Sequence, residues 1–175
     1  MNIKEKFHLK FSLEFFILLL YSANSLAADQ QTQVINPLAK TLSDFGASNC
    51  TQRANQIANF LSGKINPDLV VQTPAINPNN SLLMATMVVP LPEKKYALTS
   101  ISLAPNQANG CGGSYHSIFY SNKLCAKAFL DNFPNVKFQS INKTNIQIGV
   151  VNRGLWIIGM PAEKGCILMK EEVIE

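Results

Sequence analysis

One histidine beside two serines, and four cysteines set far apart, are the residues of this chain whose types and spacing could do chemistry. His116 is flanked by Ser114 and Ser117, and a serine within hydrogen-bond reach of a histidine is the heart of a nucleophilic hydrolase. Such a serine needs a strained, exposed turn. The Gly-x-Ser-x-Gly elbow is absent, however, and His116 falls in a stretch that alternates like a strand. A small hydrolase using His116 with Ser114 or Ser117 is therefore only an alternative, and no catalytic residue is assigned.

The carboxylates add little. Asp29, Asp44, Asp68, Glu93, Asp131 and Glu163 each stand alone near a loop or an element end, and Glu171, Glu172 and Glu175 form an acidic tail. Glycoside hydrolysis and hard-metal binding both want paired acids facing one cleft. Cys111-Gly112-Gly113-Ser114 lacks the Gly-Lys-Ser/Thr ending of a phosphate loop and precedes a strand rather than a helix. No cofactor is implied.

Cys50, Cys111, Cys125 and Cys166 are separated by 61, 14 and 41 residues. Zinc quartets usually come as two close pairs, and redox catalysis wants Cys-x-x-Cys, so neither a metal site nor thiol exchange is expected. An even count in an exported chain reads as two disulfides, with three possible connectivities.

Export is written into residues 1–27. Lys4, Lys6 and Lys10 precede the apolar run Phe15 to Tyr21, and the segment ends in Ser25-Leu26-Ala27, the order of a cleavable secretory signal. Glu14 keeps the apolar run shorter than the roughly 20 residues of a membrane span. Cleavage after Ala27 would leave 148 of the 175 residues, one ordinary domain, with 12 basic and 9 acidic side chains. The basic residues are scattered apart from Lys94-Lys95, which excludes a phosphate-tracking surface for nucleic acid. A periplasmic or secreted location follows, with no integral membrane segment after signal cleavage.

The elements that must position these residues follow from periodicity and punctuation. Residues 28–48 are polar and small, and read as a flexible lead-in. A single domain is expected over 49–175. Its first helix runs from Asn49 or Thr51 through Ile57, Phe60 and Leu61 to Ser62, stopped by Gly63. Pro67 to Asn80 reads as a long loop. Ser81 to Val89 and Leu155 to Met160 are apolar throughout, which predicts strands covered on both faces. Tyr96 to Leu103 alternates, with Ala97, Thr99, Ile101 and Leu103 on one side and Ser100 and Ser102 on the other. Further strands are predicted at Tyr115 to Tyr120, Val136 to Ile141, Ile146 to Val151 and Cys166 to Val173, with a loop over Asn106 to Gly113 and a second helix over Asn122 to Phe133. The class is α+β: a single, mostly antiparallel meandering sheet of about seven strands with two helices packed on one face, in the order α-βββ-α-ββββ.

That layout favours one disulfide connectivity. Cys111 and Cys125 lie at opposite ends of a strand that spans more than about 20 Å, whereas bonded cysteines need Cα atoms within about 7 Å. The last strand begins near Cys125, so Cys125 is expected to pair with Cys166 and Cys50 with Cys111.

Two helices cover only one face of such a sheet. The second face is expected either to lie under the lead-in and the long loop, or to meet a partner or an apolar ligand, anchored by Trp156 or by the Tyr115 and Phe119 face.

The second half of the chain resembles small exported proteins of uncharacterised function from Gram-negative bacteria. The resemblance rests on Cys111-x-x-x-Tyr115, on the helix that opens with Cys125 and closes at Phe133, and on Pro161-Ala162-x-x-x-Cys166 leading to Lys170-Glu171-Glu172-Val173. It implies an envelope location and a shared disulfide scaffold, and no catalytic residue, ligand or partner. The expected role is a non-enzymatic accessory or binding protein that acts on an unknown protein partner in the envelope or outside the cell. An inhibitor or effector of an extracellular or host enzyme is the alternative, which a rigid, protruding loop at Asn106 to Gly113 would favour.

Overall fold

The computed structural model describes residues 35–174 other than 64, 109 and 143. The export signal expected at residues 1–27 lies outside the described residues.

Eight strands form one antiparallel sheet: β1 (Asp68–Gln72), β2 (Leu83–Leu91), β3 (Lys95–Asn106), β4 (Gly110–Ser121), β5 (Phe138–Ser140), β6 (Gln147–Asn152), β7 (Leu155–Ala162) and β8 (Gly165–Ile174). Their order across the sheet is β1-β2-β3-β4-β8-β7-β6-β5. Two four-stranded meanders are thus joined where the last strand of each pairs with the other. Among the described residues, three α-helices accompany them: α1 (Pro37–Asp44), α2 (Thr51–Ser62) and α3 (Cys125–Asn132). The α+β class with a single antiparallel sheet matches the expectation, but the described residues hold eight strands rather than about seven and three α-helices rather than two.

The additional helix, α1, corrects the reading of 28–48 as flexible lead-in over Pro37–Asp44, while residues 28–34 lie outside the described residues. Asn36 accepts a 3.0 Å hydrogen bond from the Leu38 N–H, and Pro37 fills the first helical position where its missing N–H costs nothing. Leu38, Ala39 and Leu42 then share one face and are buried against α2 and the sheet. An eight-residue helix has little stability alone. Docking of those three side chains holds it.

The additional strand, β1, lies inside the segment read as a loop. It is an edge strand, paired only with β2 through Asp68↔Val88 to Gln72↔Met84, and prolines 67 and 74 flank it as edge geometry allows. Helix α2 ends where expected, with Gly63 at φ 60° as its cap. Helix α3 begins three residues later than predicted, because Leu124 has extended backbone geometry and caps it.

All three helices lie on one face. Leu38, Leu42 and Ile57 pack with Leu83, Met87, Ile101 and Tyr115 over the first meander. Ala128 and Phe129 of α3 pack with Ile157 and Leu168 over the second. The register places these strand residues on one face, since Met87 faces Thr99, Thr99 faces Ser117, Ser117 faces Lys170 and Lys170 faces Ile157.

Cys50 is bonded to Cys111 with Cα atoms 5.1 Å apart, and Cys125 to Cys166 with Cα atoms 4.9 Å apart. The first bridge ties the turn before α2 to the start of β4, where Arg53 Nε also donates a 3.1 Å hydrogen bond to the Cys111 carbonyl. The second ties the first turn of α3 to the start of β8. Among the described residues, no helix is long and apolar enough to cross a membrane.

Candidate interaction surface

Strand alternation sends every second side chain to the face away from the helices. In β2 the buried residues Leu83, Ala85, Met87 and Val89 alternate with exposed Met84, Thr86 and Val88. The continuous apolar run 81–89, expected to be covered on both faces, is therefore covered on one. The same holds for β7, where Ile157 is buried and Trp156 and Met160 are exposed. Among the described residues, neither element expected to cover the second face does so: α1 packs on the helical face, and Asp68–Gln72 extends the sheet at its edge.

Register turns this open face into rows. Val88 faces Leu98, which faces Ile118, then Met169, Ile158 and Ile148, so that one apolar row crosses six strands. On one side of it Tyr120, Ile167 and Met160 make a shorter apolar row. The side chains between β2 and β8 enclose a shallow depression of about 310 Å³ lined by Val88, Tyr96, Leu98, Ile118, Tyr120 and Ile167. On the other side runs a mixed row of Thr86, Ser100, His116, Glu171, Trp156 and Val150. Exposure is large for side chains of this kind, with Leu98 54% and Ile118 41% accessible.

Trp156 stands in the mixed row, 42% exposed. Of the other residues predicted as anchors of a contact face, Tyr115 does not join the open face and Phe119 only borders its depression. Both have the parity of the helical face, where Tyr115 is fully buried and Phe119 packs between the two core clusters. Tyr115 sits beneath Phe60, ring centroids 6.3 Å apart, and its hydroxyl donates to Glu172 Oε2. Lys170 Nζ lies 3.2 Å from the same Glu172 carboxylate and 5.1 Å from the Phe60 ring. Burial, and next the hydrogen bond to Glu172, push the Tyr115 phenol well above its ordinary value.

The two serines beside His116 separate as well. Ser117 points to the helical face, where its Oγ lies 2.8 Å from Thr99 Oγ1 in a buried hydroxyl pair. It cannot serve His116, which points the other way. Ser114 shares the open face with His116 but makes no hydrogen bond to it. The partner of His116 is Glu171, directly opposite on β8, with Nε2 and Oε1 3.7 Å apart.

No protein-family model, curated protein or solved structure matches this chain. Its surfaces therefore have to be read from their own chemistry.

A second concavity, of about 560 Å³, lies between the β2–β3 turn and α3 and carries Glu93, Lys95, Lys123 and Asp131. Its charges neutralise one another. Lys123 and Lys127 lie 2.6 and 2.9 Å from Asp131 and hold its carboxyl below the usual range, and Lys95 lies 2.6 Å from Glu93 and does the same there. No group of three or more metal-ligating side chains occurs among the described residues.

The apolar row was missed in the sequence although its signal was present. Tyr96 and Leu98 stand on the Ser100 and Ser102 side of β3, and only their opposition to Val88 and Ile118 across neighbouring strands reveals a continuous patch. Nor is Asn106 to Gly113 a protruding loop, because Asn106 pairs with Gly110 and the strands continue on either side.

Proposed function

We propose that this protein is a non-enzymatic exported module, periplasmic or secreted, that works by protein contact through the open face of its sheet. The apolar row from Val88 to Ile148 carries this reading, because it crosses six strands without a charged side chain. A monomeric protein rarely leaves so large a contiguous apolar patch in water, and such patches mark contact sites. The two disulfides fit an oxidising compartment outside the cytoplasm.

The experiment is to place a charge in the row, with Leu98→Glu and Ile118→Glu, and to measure both folding stability and performance in cells from which the wild-type gene has been deleted. A contact face predicts normal stability and a phenotype matching the deletion. Variants that are folded and fully active would remove the open face from consideration.

A further inference from the structure

Taking the open face as the working surface proposed above, we infer that its occupant is a second copy of this chain, packed sheet to sheet about a two-fold axis that runs along the strands over the seam between β4 and β8.

The seam is the middle of the sheet, with four strands on either side. Rotation about an axis there lays β4 of one copy over β8 of the other, keeps the strands aligned as in sheet sandwiches, and sets each row against the same row of its mate. Ile118 then meets the second copy's Met169, Leu98 its Ile158, and Val88 its Ile148. In the mixed row, His116 meets the second copy's Glu171 and Trp156 meets its Ser100. In the two apolar rows apolar side chains are opposed to apolar ones; in the mixed row Trp156 and Val150 meet the small polar Ser100 and Thr86, and the polar pair on the axis is of unlike type.

Charge favours this occupant over a foreign one. Beyond the expected cleavage point the chain carries 12 basic and 9 acidic side chains, yet among the outward positions of β2, β3, β4, β6, β7 and β8 the only ionisable acid or base groups besides the tyrosines are His116 and Glu171. With a single carboxylate, Glu171, the face offers a highly charged partner little to select, and in its own copy that carboxylate is set against the His116 imidazole rather than against another acid.

Size agrees. Two rows across six strands about 4.8 Å apart and a shorter third, about 7 Å apart, give a footprint of about 500 to 600 Å² per copy, or about 1,000 to 1,200 Å² in all, at the lower end of stable interfaces. The chain's own N-terminus is a poor substitute. Between the expected cleavage point and Ile35 lie seven residues, Ala28 to Val34, of which only Val34 is a large apolar residue.

The test is sedimentation equilibrium of the oxidised mature protein, from low to high micromolar concentration, with Trp156 emission recorded over the same dilution series. A species of twice the monomer mass is expected, with Trp156 emission moving to longer wavelength as dilution releases it. Ile118→Glu and Met169→Lys should each be monomeric with unchanged circular dichroism, and mixing the two should restore a dimer, because position 118 of one copy faces position 169 of the other. A wild-type protein that stays monomeric at high micromolar concentration overturns the second-copy inference and leaves the contact reading to a foreign partner. A dimer that survives both substitutions also overturns it, since another surface then joins the copies. Should both variants fail to fold, wild-type sedimentation remains the test. The concentration dependence of Trp156 emission in the wild type then decides the dimer without any variant.

Discussion

His116 and Glu171 face each other across β4 and β8, Nε2 and Oε1 3.7 Å apart, with 40% and 36% of their side chains accessible. A pair so exposed contributes between about 0 and 1 kcal/mol, since water and salt screen it. His116→Ala should therefore leave the urea midpoint of the isolated monomer almost unchanged, and should not alter hydrolysis of ester or peptide substrates. Turnover by the wild-type protein that disappears in His116→Ala would reinstate a hydrolase built on Ser114. Ser117→Ala is a different case. It breaks the buried hydroxyl pair with Thr99 and should cost about 1 to 3 kcal/mol by leaving a buried group unpaired.

Phe129 of α3 occupies the space above Gly159. A Cβ at Gly159 would collide with the Phe129 ring, and one at Gly149 would come within 2.5 Å of Phe138 Cε1. The two rings stack with centroids 3.7 Å apart on this floor of glycines. Gly159→Ala should destabilise the protein by about 1 to 3 kcal/mol through overpacking, and the cost should shrink in a Phe129→Ala background. Urea unfolding of the four proteins in that cycle measures the coupling. Equal costs in the two backgrounds would mean that α3 does not rest on β7 in this way.

Much of this architecture is legible in the sequence because the information is local. Alternation in Tyr96 to Leu103, the turns around Asn142 and Asn152, and the glycine after Ser62 each mark an element by chemistry within a few residues. What was not legible depends on tertiary partners. Helix α1 is eight residues long and is held by the packing of Leu38 and Leu42, and β1 is five residues long with a single neighbouring strand. The continuous run 81–89 hides its alternation because Met84 and Val88 are as apolar as Leu83 and Met87. Tyr115 and Phe119 were separated from Trp156 only when the register of β4, β8 and β7 was known, since one step along a strand changes the face.

Tyr115 makes stability fall at alkaline pH. Its phenol is held protonated in the folded protein by burial and by Glu172, whereas an unfolded chain ionises tyrosine near pH 10. A group whose value is raised by folding stabilises fully below the unfolded value, and that contribution is lost as pH rises through the folded one. Urea midpoints should hold up to about pH 10 and decline above it. Tyr115→Phe should lower the neutral midpoint, flatten that alkaline decline, and leave the phenolate absorbance up to about pH 11 unchanged. A drop in that absorbance on substitution would mean that Tyr115 titrates freely.

The two disulfides hold helices of unequal size to the sheet. The 61-residue separation of Cys50 and Cys111 and the 41-residue separation of Cys125 and Cys166 each correspond to about 4 kcal/mol of lost unfolded-chain entropy, an upper figure for an unstrained bridge. Their local consequences differ. Arg53 and the large cluster under α1 and α2 also anchor the first site, so Cys50→Ala/Cys111→Ala should lower global stability while hydrogen exchange still proceeds cooperatively. Only Ala128, Phe129 and their few neighbours hold α3 once Cys125 is released. Cys125→Ala/Cys166→Ala should therefore also open α3 locally, with its amides exchanging faster than those of β3 and β4. Uniform protection across α3 and the central strands in that variant would show that the Phe129 stack alone secures the helix.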